Sequence, residues 1–231
     1  MIPGLRLCAI TLLAAGPTLA VASDTADFVV DNCAGCHALD KADYESQGIE
    51  DRAERGGPPL YFAGNKFRRQ WLEQWLQDPV RIRPAGDYPP AHIDTAQGEE
   101  DRIDEDSLEP HPALNGERAT QVADYLMTLR PYDERIEAVT YEPGNIAWRM
   151  GQMNFAKFNN CIACHQDEPG YGGLSGPELY TAWDRLQPAF IASYIADPVA
   201  WDPHTLMPGG DLNDGAVGKL ANYLKAIVEE E

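Results

Sequence analysis

Two short stretches carry residues able to do chemistry together: "DNCAGCHA", with Cys33, Cys36 and His37, and "NNCIACHQ", with Cys161, Cys164 and His165. Both read Cys-x-x-Cys-His and use four of the chain's five cysteines; the fifth is Cys8. Two thiols three positions apart on one turn of chain can each reach a vinyl group on a porphyrin edge and close a thioether. The next residue then points across the macrocycle, so its imidazole reaches the iron. Rival chemistries fit less well. A disulfide asks for no histidine after the second cysteine each time. Zinc needs a fourth ligand, and no partner pair stands at finger spacing. A thioredoxin-like pair needs a βαβ context that is missing. Two covalent haem c groups are therefore expected, with Cys33, Cys36, Cys161 and Cys164 as the thioether donors and His37 and His165 as iron ligands.

The elements that position these residues also occur twice. "GGPPLYFAGNKFRRQWLEQWLQDPV", residues 56 to 80, aligns with "SGPELYTAWDRLQPAFIASYIADPV", residues 175 to 199, at an offset of 119. Later, "LNGERATQVADYL" aligns with "LNDGAVGKLANYL". Each copy is expected to run as a helix into the cysteine motif, a Gly-Pro loop, a middle helix ending before Asp-Pro, a loop and a final helix. Phe67, Trp71 and Trp75 recur at four-residue spacing, as do Leu186, Phe190 and Tyr194. Such spacing gives one apolar face and reads as core and pocket lining. No strand-like alternation of useful length appears. The expectation is an all-α chain of two tandem domains, 23–130 and 146–231, joined by a linker at 131–145 between breaker prolines.

With the duplicated motifs, the Gly-Pro-x-Leu after each and the closing "ADYL" and "ANYL" helices, the chain resembles the two-domain dihaem members of the class I cytochromes c. The resemblance covers nearly all of the chain after residue 22. It implies that Pro58 and Pro177 pack beside the proximal histidines and that first and last helices cross, with Gly151 and Phe155 at the crossing in the second copy.

It also implies a methionine as sixth iron ligand, in a Met-Pro setting before the last helix. "TLMPGGDLND" supplies Met207, with His204 as competitor; Met150 and Met153 read as core filler. The first copy departs from this pattern. Counted back from the shared Leu-Asn pair, His111-Pro112 stands where Met207-Pro208 does. His111 is the expected distal ligand, giving bis-histidine ligation and a lower potential. His92 is the alternative. Counted forward from Asp-Pro, the place falls instead on Tyr88-Pro89, which leaves an open or tyrosine-capped iron; Met127, mid-helix, reads as core.

Residues 1–22 read as a secretory signal peptide: Arg6, an apolar run from Leu7, then Ala20-Val21-Ala22. The run is broken by Gly16-Pro17 and is too short to span a bilayer. A periplasmic or otherwise exported protein without a membrane span is expected. The formal charge of −19 makes nucleic acid an unsuitable partner and favours redox proteins with a basic docking surface. The first copy's distal loop is 23 residues longer than the second's and holds the acidic "GEEDRIDEDSLE", residues 98 to 109. Lys66, Arg68, Arg69, Arg81 and Arg83 make a basic island that suits haem carboxylates, the acidic loop or plain solvent. The function expected is one-electron transfer between periplasmic partners, not catalysis on a substrate. The alternative is a haem enzyme, peroxidase-like or acting on sulfur compounds, with the first haem as an open or displaceable site.

Overall fold

The computed structural model describes residues 18–43, 46–94, 102–210 and 212–229. Most of the expected signal peptide, Cys8 included, and the start of the acidic insert lie outside these residues. The first described helix, α1 (Thr18–Cys33), runs through the expected cleavage point.

The chain is mostly helical, 47% helix against 6% strand, and among the described residues the strands form two minimal ribbons. The expectation of an all-α chain omitted these. One pairs β1 (Ile93–Asp94) with β2 (Arg102–Ile103) inside the long loop; the other pairs β3 (Gln166–Glu168) with β4 (Tyr171–Gly172) directly after His165. Ladders of two or three residues leave no alternation to read. The second is turned by Gly170 at φ +76° and Gly172 at φ +119°, backbone that a side chain rarely adopts.

The helices follow the duplicated pattern. After α2 (Ile49–Ala53), the middle segment of the first half is two pieces, α3 (Ala63–Lys66) and α4 (Arg69–Gln77), and α5 (Gly116–Met127) closes it. The expected linker contains a helical turn, α6 (Asp133–Glu137). The second half runs α7 (Trp148–Gln152), α8 (Ala182–Arg185), α9 (Pro188–Ala196) and α10 (Asp214–Glu229), with the chain between α7 and Cys161 widened into a π turn.

The shared Leu-Asn pairs start the last helices. The Asn115 side chain accepts from the Arg118 N–H at 2.9 Å, and Asn213 accepts from Ala216 N–H at 3.0 Å, each satisfying a donor left free at a helix N-terminus. In both halves the helix before the cysteine motif packs on the last helix, α1 on α5 and α7 on α10. At the second crossing Gly151 meets Tyr223 so closely that a Cβ would overlap its ring, and Phe155 packs on the same ring at 5.7 Å.

The stripe expected along the first middle helix divides. Leu72 and Leu76 enter the core, while Trp71 and Trp75 stay half-buried and stack in a row with Phe67, centroids 5.7 and 5.8 Å apart. In the second half Phe190 is buried and Tyr194 is half-buried.

One apolar cluster runs through both halves, from Val29 and Phe62 to Trp201 and Ile227. The seam is built from equivalent positions. Phe67 and Leu186, 119 apart in sequence, form an antiparallel bridge; Arg68 N–H donates to Arg185 C=O and Gln187 N–H to Lys66 C=O, both at 2.9 Å. Side chains repeat the exchange, with Arg68 Nε donating to Leu186 C=O and Gln187 Nε2 to Phe67 C=O, again both at 2.9 Å. Arg55 and Asp202 add an ion pair at 2.7 Å, and the indole of Trp201 is fully buried between the halves against Phe62, Tyr132 and Phe190.

Candidate functional site

The two Cys-x-x-Cys-His stretches close the same turn. His37 N–H donates to Cys33 C=O at 2.9 Å and Cys36 N–H to the same oxygen at 3.2 Å; His165 and Cys164 N–H donate to Cys161 C=O at 3.0 and 3.1 Å. The second turn is entered through Asn160 in the left-handed region, φ 52°, which asparagine tolerates better than most residues. All four cysteines are free thiols, Cys36 and Cys164 exposed and Cys33 and Cys161 half-buried. Burial, reinforced by the neighbouring cysteine, pushes the Cys33 thiol above its ordinary range, and burial pushes Cys161 up to about 11. Cys33 and Cys161 therefore present protonated thiols, not activated thiolates.

The Gly-Pro loop returns beneath each histidine. Leu60 N–H donates to Ala38 C=O at 2.9 Å and Leu179 N–H to Gln166 C=O at 2.8 Å, tying the loop to the residue after the histidine in each half. This holds Pro58 and Pro177 so that their carbonyls face the imidazoles: His37 Nδ1 and His165 Nδ1 each lie 2.7 Å from a proline oxygen. A carbonyl only accepts, so Nδ1 carries the proton and Nε2 keeps its lone pair, the tautomer a metal needs. A Cβ at Gly57 or Gly176 would overlap the ring of His37 or His165, so only glycine lets the loop come this near. Burial lowers the pKa of both imidazoles. The carbonyl contact opposes it, and nearby cations, Lys66 for His37 and Arg83 with Arg185 for His165, push further down.

The long loop brings His111, not His92, to the first site. The His111 and His37 rings lie 6.1 Å apart, centre to centre. His111 Nδ1 donates to Pro112 C=O at 2.9 Å, so its Nε2 is also left free, and burial lowers its pKa. With metal-to-nitrogen bonds of about 2 Å and ring centres about 1 Å behind the nitrogens, two imidazoles on opposite sides of one metal ion have centres about 6 Å apart. The pair therefore has the spacing of two ligands to a single ion. His92 instead turns Nδ1 to Ser107 Oγ at 2.8 Å and packs beside Gly86. Tyr88 leads into a 3₁₀ turn at Pro89–Ala91, and Met127, half-buried, lies on α5.

Sequence reading missed what holds His111. The Trp75 indole contacts its ring at a centroid distance of 4.7 Å. Trp75 is itself held by its Nε1–H, which donates to Val80 C=O at 2.9 Å, and by the stack on Trp71. The loop is tied to α4 by Leu114 N–H donating to Leu76 C=O at 2.8 Å. Tyr194, 119 positions on from Trp75, does related work by other means: its hydroxyl hydrogen-bonds Thr205 Oγ1 at 2.9 Å, and that oxygen accepts from Met207 N–H at 3.2 Å. Met207 is half-buried in the loop before α10, and His204 N–H is tied to Asp202. The four-residue spacing of the aromatics was the available signal for both supports, but it does not say which loop they meet.

Of the basic island, Arg81 pairs with Glu105 of the acidic loop at 2.5 Å, Arg69 with Glu73 and Asp124, and Arg83 with Asp87 at 3.2 Å. Among the described residues no helix is long and apolar enough to cross a membrane.

No known family matches. The chain matches no family model, no curated protein and no solved structure.

Proposed function

We propose that the protein is an exported dihaem c-type cytochrome of two tandem cytochrome c-like domains, passing single electrons between redox protein partners. Cys33 and Cys36 would hold one porphyrin and Cys161 and Cys164 the other, with His37 and His165 as proximal ligands, His111 as sixth ligand of the first iron and Met207 of the second. The observation that carries the reading is the His37–His111 pair, 6.1 Å apart with both Nε2 atoms free, directly beside a Cys-x-x-Cys turn. Iron porphyrin supplies reversible one-electron chemistry when bound. The residues of this chain do the rest. The proline carbonyls fix the tautomer of each proximal imidazole, and burial keeps the imidazoles neutral. Trp75 and the Tyr194–Thr205 pair support the two distal loops. Ligands from protein on both faces leave no position for substrate, which favours transfer over catalysis.

Unequal ligand sets give the halves unequal potentials, lower for the bis-histidine site, and so a direction to the internal transfer. The acidic surface suits partners with a basic docking face.

Intact mass and electronic spectra of the exported protein test the reading. Two covalent haems are expected, both low-spin, one with a bis-imidazole signature and one with a methionine-to-iron charge-transfer band. Fewer than two attached haems would overturn it. A high-spin first haem that binds cyanide or peroxide at once would replace it with the enzyme reading.

A further inference from the structure

Both proximal imidazoles end on a proline carbonyl, and what lies at the other end of that peptide differs between the halves. In the first half the loop reads Gly57-Pro58-Pro59-Leu60, so the peptide whose oxygen faces His37 Nδ1 ends on a proline nitrogen and has no N–H to donate. In the second it reads Gly176-Pro177-Glu178-Leu179, and the peptide whose oxygen faces His165 Nδ1 at 2.7 Å carries the Glu178 N–H. That N–H crosses the seam and donates to the C=O of Ile82 at 2.8 Å. His165 Nδ1–H, the Pro177–Glu178 peptide and the Ile82 carbonyl thus form one chain of hydrogen bonds, and its last acceptor comes from the first half.

Both ends of the crossing bond are fixed. Glu178 is 4% exposed; its carboxylate accepts from the Thr181 N–H and hydroxyl, and its carbonyl accepts from Arg185 Nη2. Ile82 follows Val80, whose carbonyl accepts from the Trp75 indole, and Arg81, which pairs with Glu105. A second observation puts this segment beside the second site: Arg83, the next residue, lies near enough for its charge to act on His165.

A bond at one end of a peptide strengthens the bond at the other. When the N–H donates, the amide is polarised and its oxygen becomes the better acceptor, by about 10–30% per bond in such chains. A tighter hold on Nδ1–H makes Nε2 the stronger donor to a metal.

We propose that the Ile82 carbonyl of the first half is a positioning group for His165: acting through the Pro177–Glu178 peptide, it orients the imidazole, strengthens it as a ligand and lowers the potential of the second haem. This rests on the dihaem reading above. Stronger donation favours the ferric state, so the chain offsets part of the rise that a methionine ligand gives. The potential of the second site is then set by both halves, whereas the proximal chain of the first stops at Pro58.

Glu178→Pro and Glu178→Ala, each in the full exported chain, test the assignment by redox titration followed in the spectra of the separate haems. Both variants lose the carboxylate, and only the proline also loses the N–H; Pro59 shows that the equivalent place accommodates a proline. The proline variant is expected to have a higher second-haem potential than the alanine variant, with the first haem the same in both. An equal or lower second-haem potential in Glu178→Pro, with two haems attached by mass, would overturn the proposal and leave the dihaem reading standing. Equal shifts of both haems would report a loosened seam and also overturn it. The bond itself is read in the reduced wild-type protein as a scalar coupling between the Glu178 nitrogen and the Ile82 carbonyl carbon, and absence of that coupling would sink the proposal whether or not the proline variant folds. Fewer than two haems in the wild-type mass would remove the dihaem reading and the proposal together.

Discussion

Phe67 and Leu186 stand at the same place in the two repeats, and they face one another as the two sides of an antiparallel bridge. Only a pseudo-twofold arrangement puts a residue opposite its own equivalent, and the paired hydrogen bonds of Arg68 with Arg185 and of Gln187 with Lys66 obey the same axis. The two candidate metal sites are thus related by the seam, and the ion pair between Arg55 and Asp202 adds a further tie across it.

His111→Ala removes the free Nε2 opposite His37. In the proposed dihaem protein, the first haem is expected to turn high-spin and to bind cyanide readily, with the second unchanged, as electronic and paramagnetic resonance spectra would record. His92→Ala, whose ring is tied to Ser107, should leave both spectra as in the wild type; a high-spin product from that variant would move the distal role to His92.

Trp75→Leu keeps an apolar side chain there, though a smaller one, and loses the ring contact with His111. Aromatic contacts of this kind contribute about 0.5–1.5 kcal/mol, so exogenous imidazole or cyanide should displace His111 between about twofold and tenfold more easily. The bis-imidazole resonance should broaden too, because the ring plane is no longer fixed. Identical ligand-exchange constants would remove Trp75 from the site.

Gly57→Ala and Gly176→Ala each drive a methyl into a proximal imidazole. Each is expected to weaken ligation at its own haem alone, seen as loss of the low-spin spectrum of that site with the other intact. Equal damage to both sites from either variant would mean that the loop supports the whole fold more than its own histidine.

Arg55→Ala leaves Asp202 without its partner in the seam, where the two side chains are only 12% and 9% exposed. Breaking a pair this well shielded costs about 3 kcal/mol, and the denaturation midpoint should fall accordingly. A change of a few tenths would show that water reaches Asp202.

His37, His111 and His165 all have folded pKa values below the ordinary 6.5. The unfolded chain then binds more protons than the folded one in the window from 6.5 downward, so stability is lost as pH falls through the folded values. In the proposed dihaem protein, protons would also compete with iron for each Nε2, which acts in the same direction. Thermal midpoints should be flat just above 6.5 and decline below it, and a midpoint that rises on acidification would contradict the neutral imidazoles.

Much of this was written in residue order. Cys-x-x-Cys-His joins three groups within five positions, so their chemistry is local and the turn that presents them is local too. The duplicated Gly-Pro-x-Leu, the Leu-Asn caps and the aromatic spacing were legible for the same reason: helix periodicity and capping act over three or four residues. What the tertiary structure alone decided is everything that joins distant segments. His111 and His92 are both histidines in one long loop, and only the path of that loop, tied to α4 through Leu114 and backed by Trp75, puts one ring 6.1 Å from His37 and turns the other to Ser107. Lys66 was one of five basic residues of similar appearance, and only the tertiary structure separated it, its ammonium facing the rings of Phe67, Phe62 and Phe190, from Arg69, Arg81 and Arg83, which found carboxylates. Such outcomes depend on charge, burial and distance across the seam, and the spacing of residues along the chain encodes none of the three.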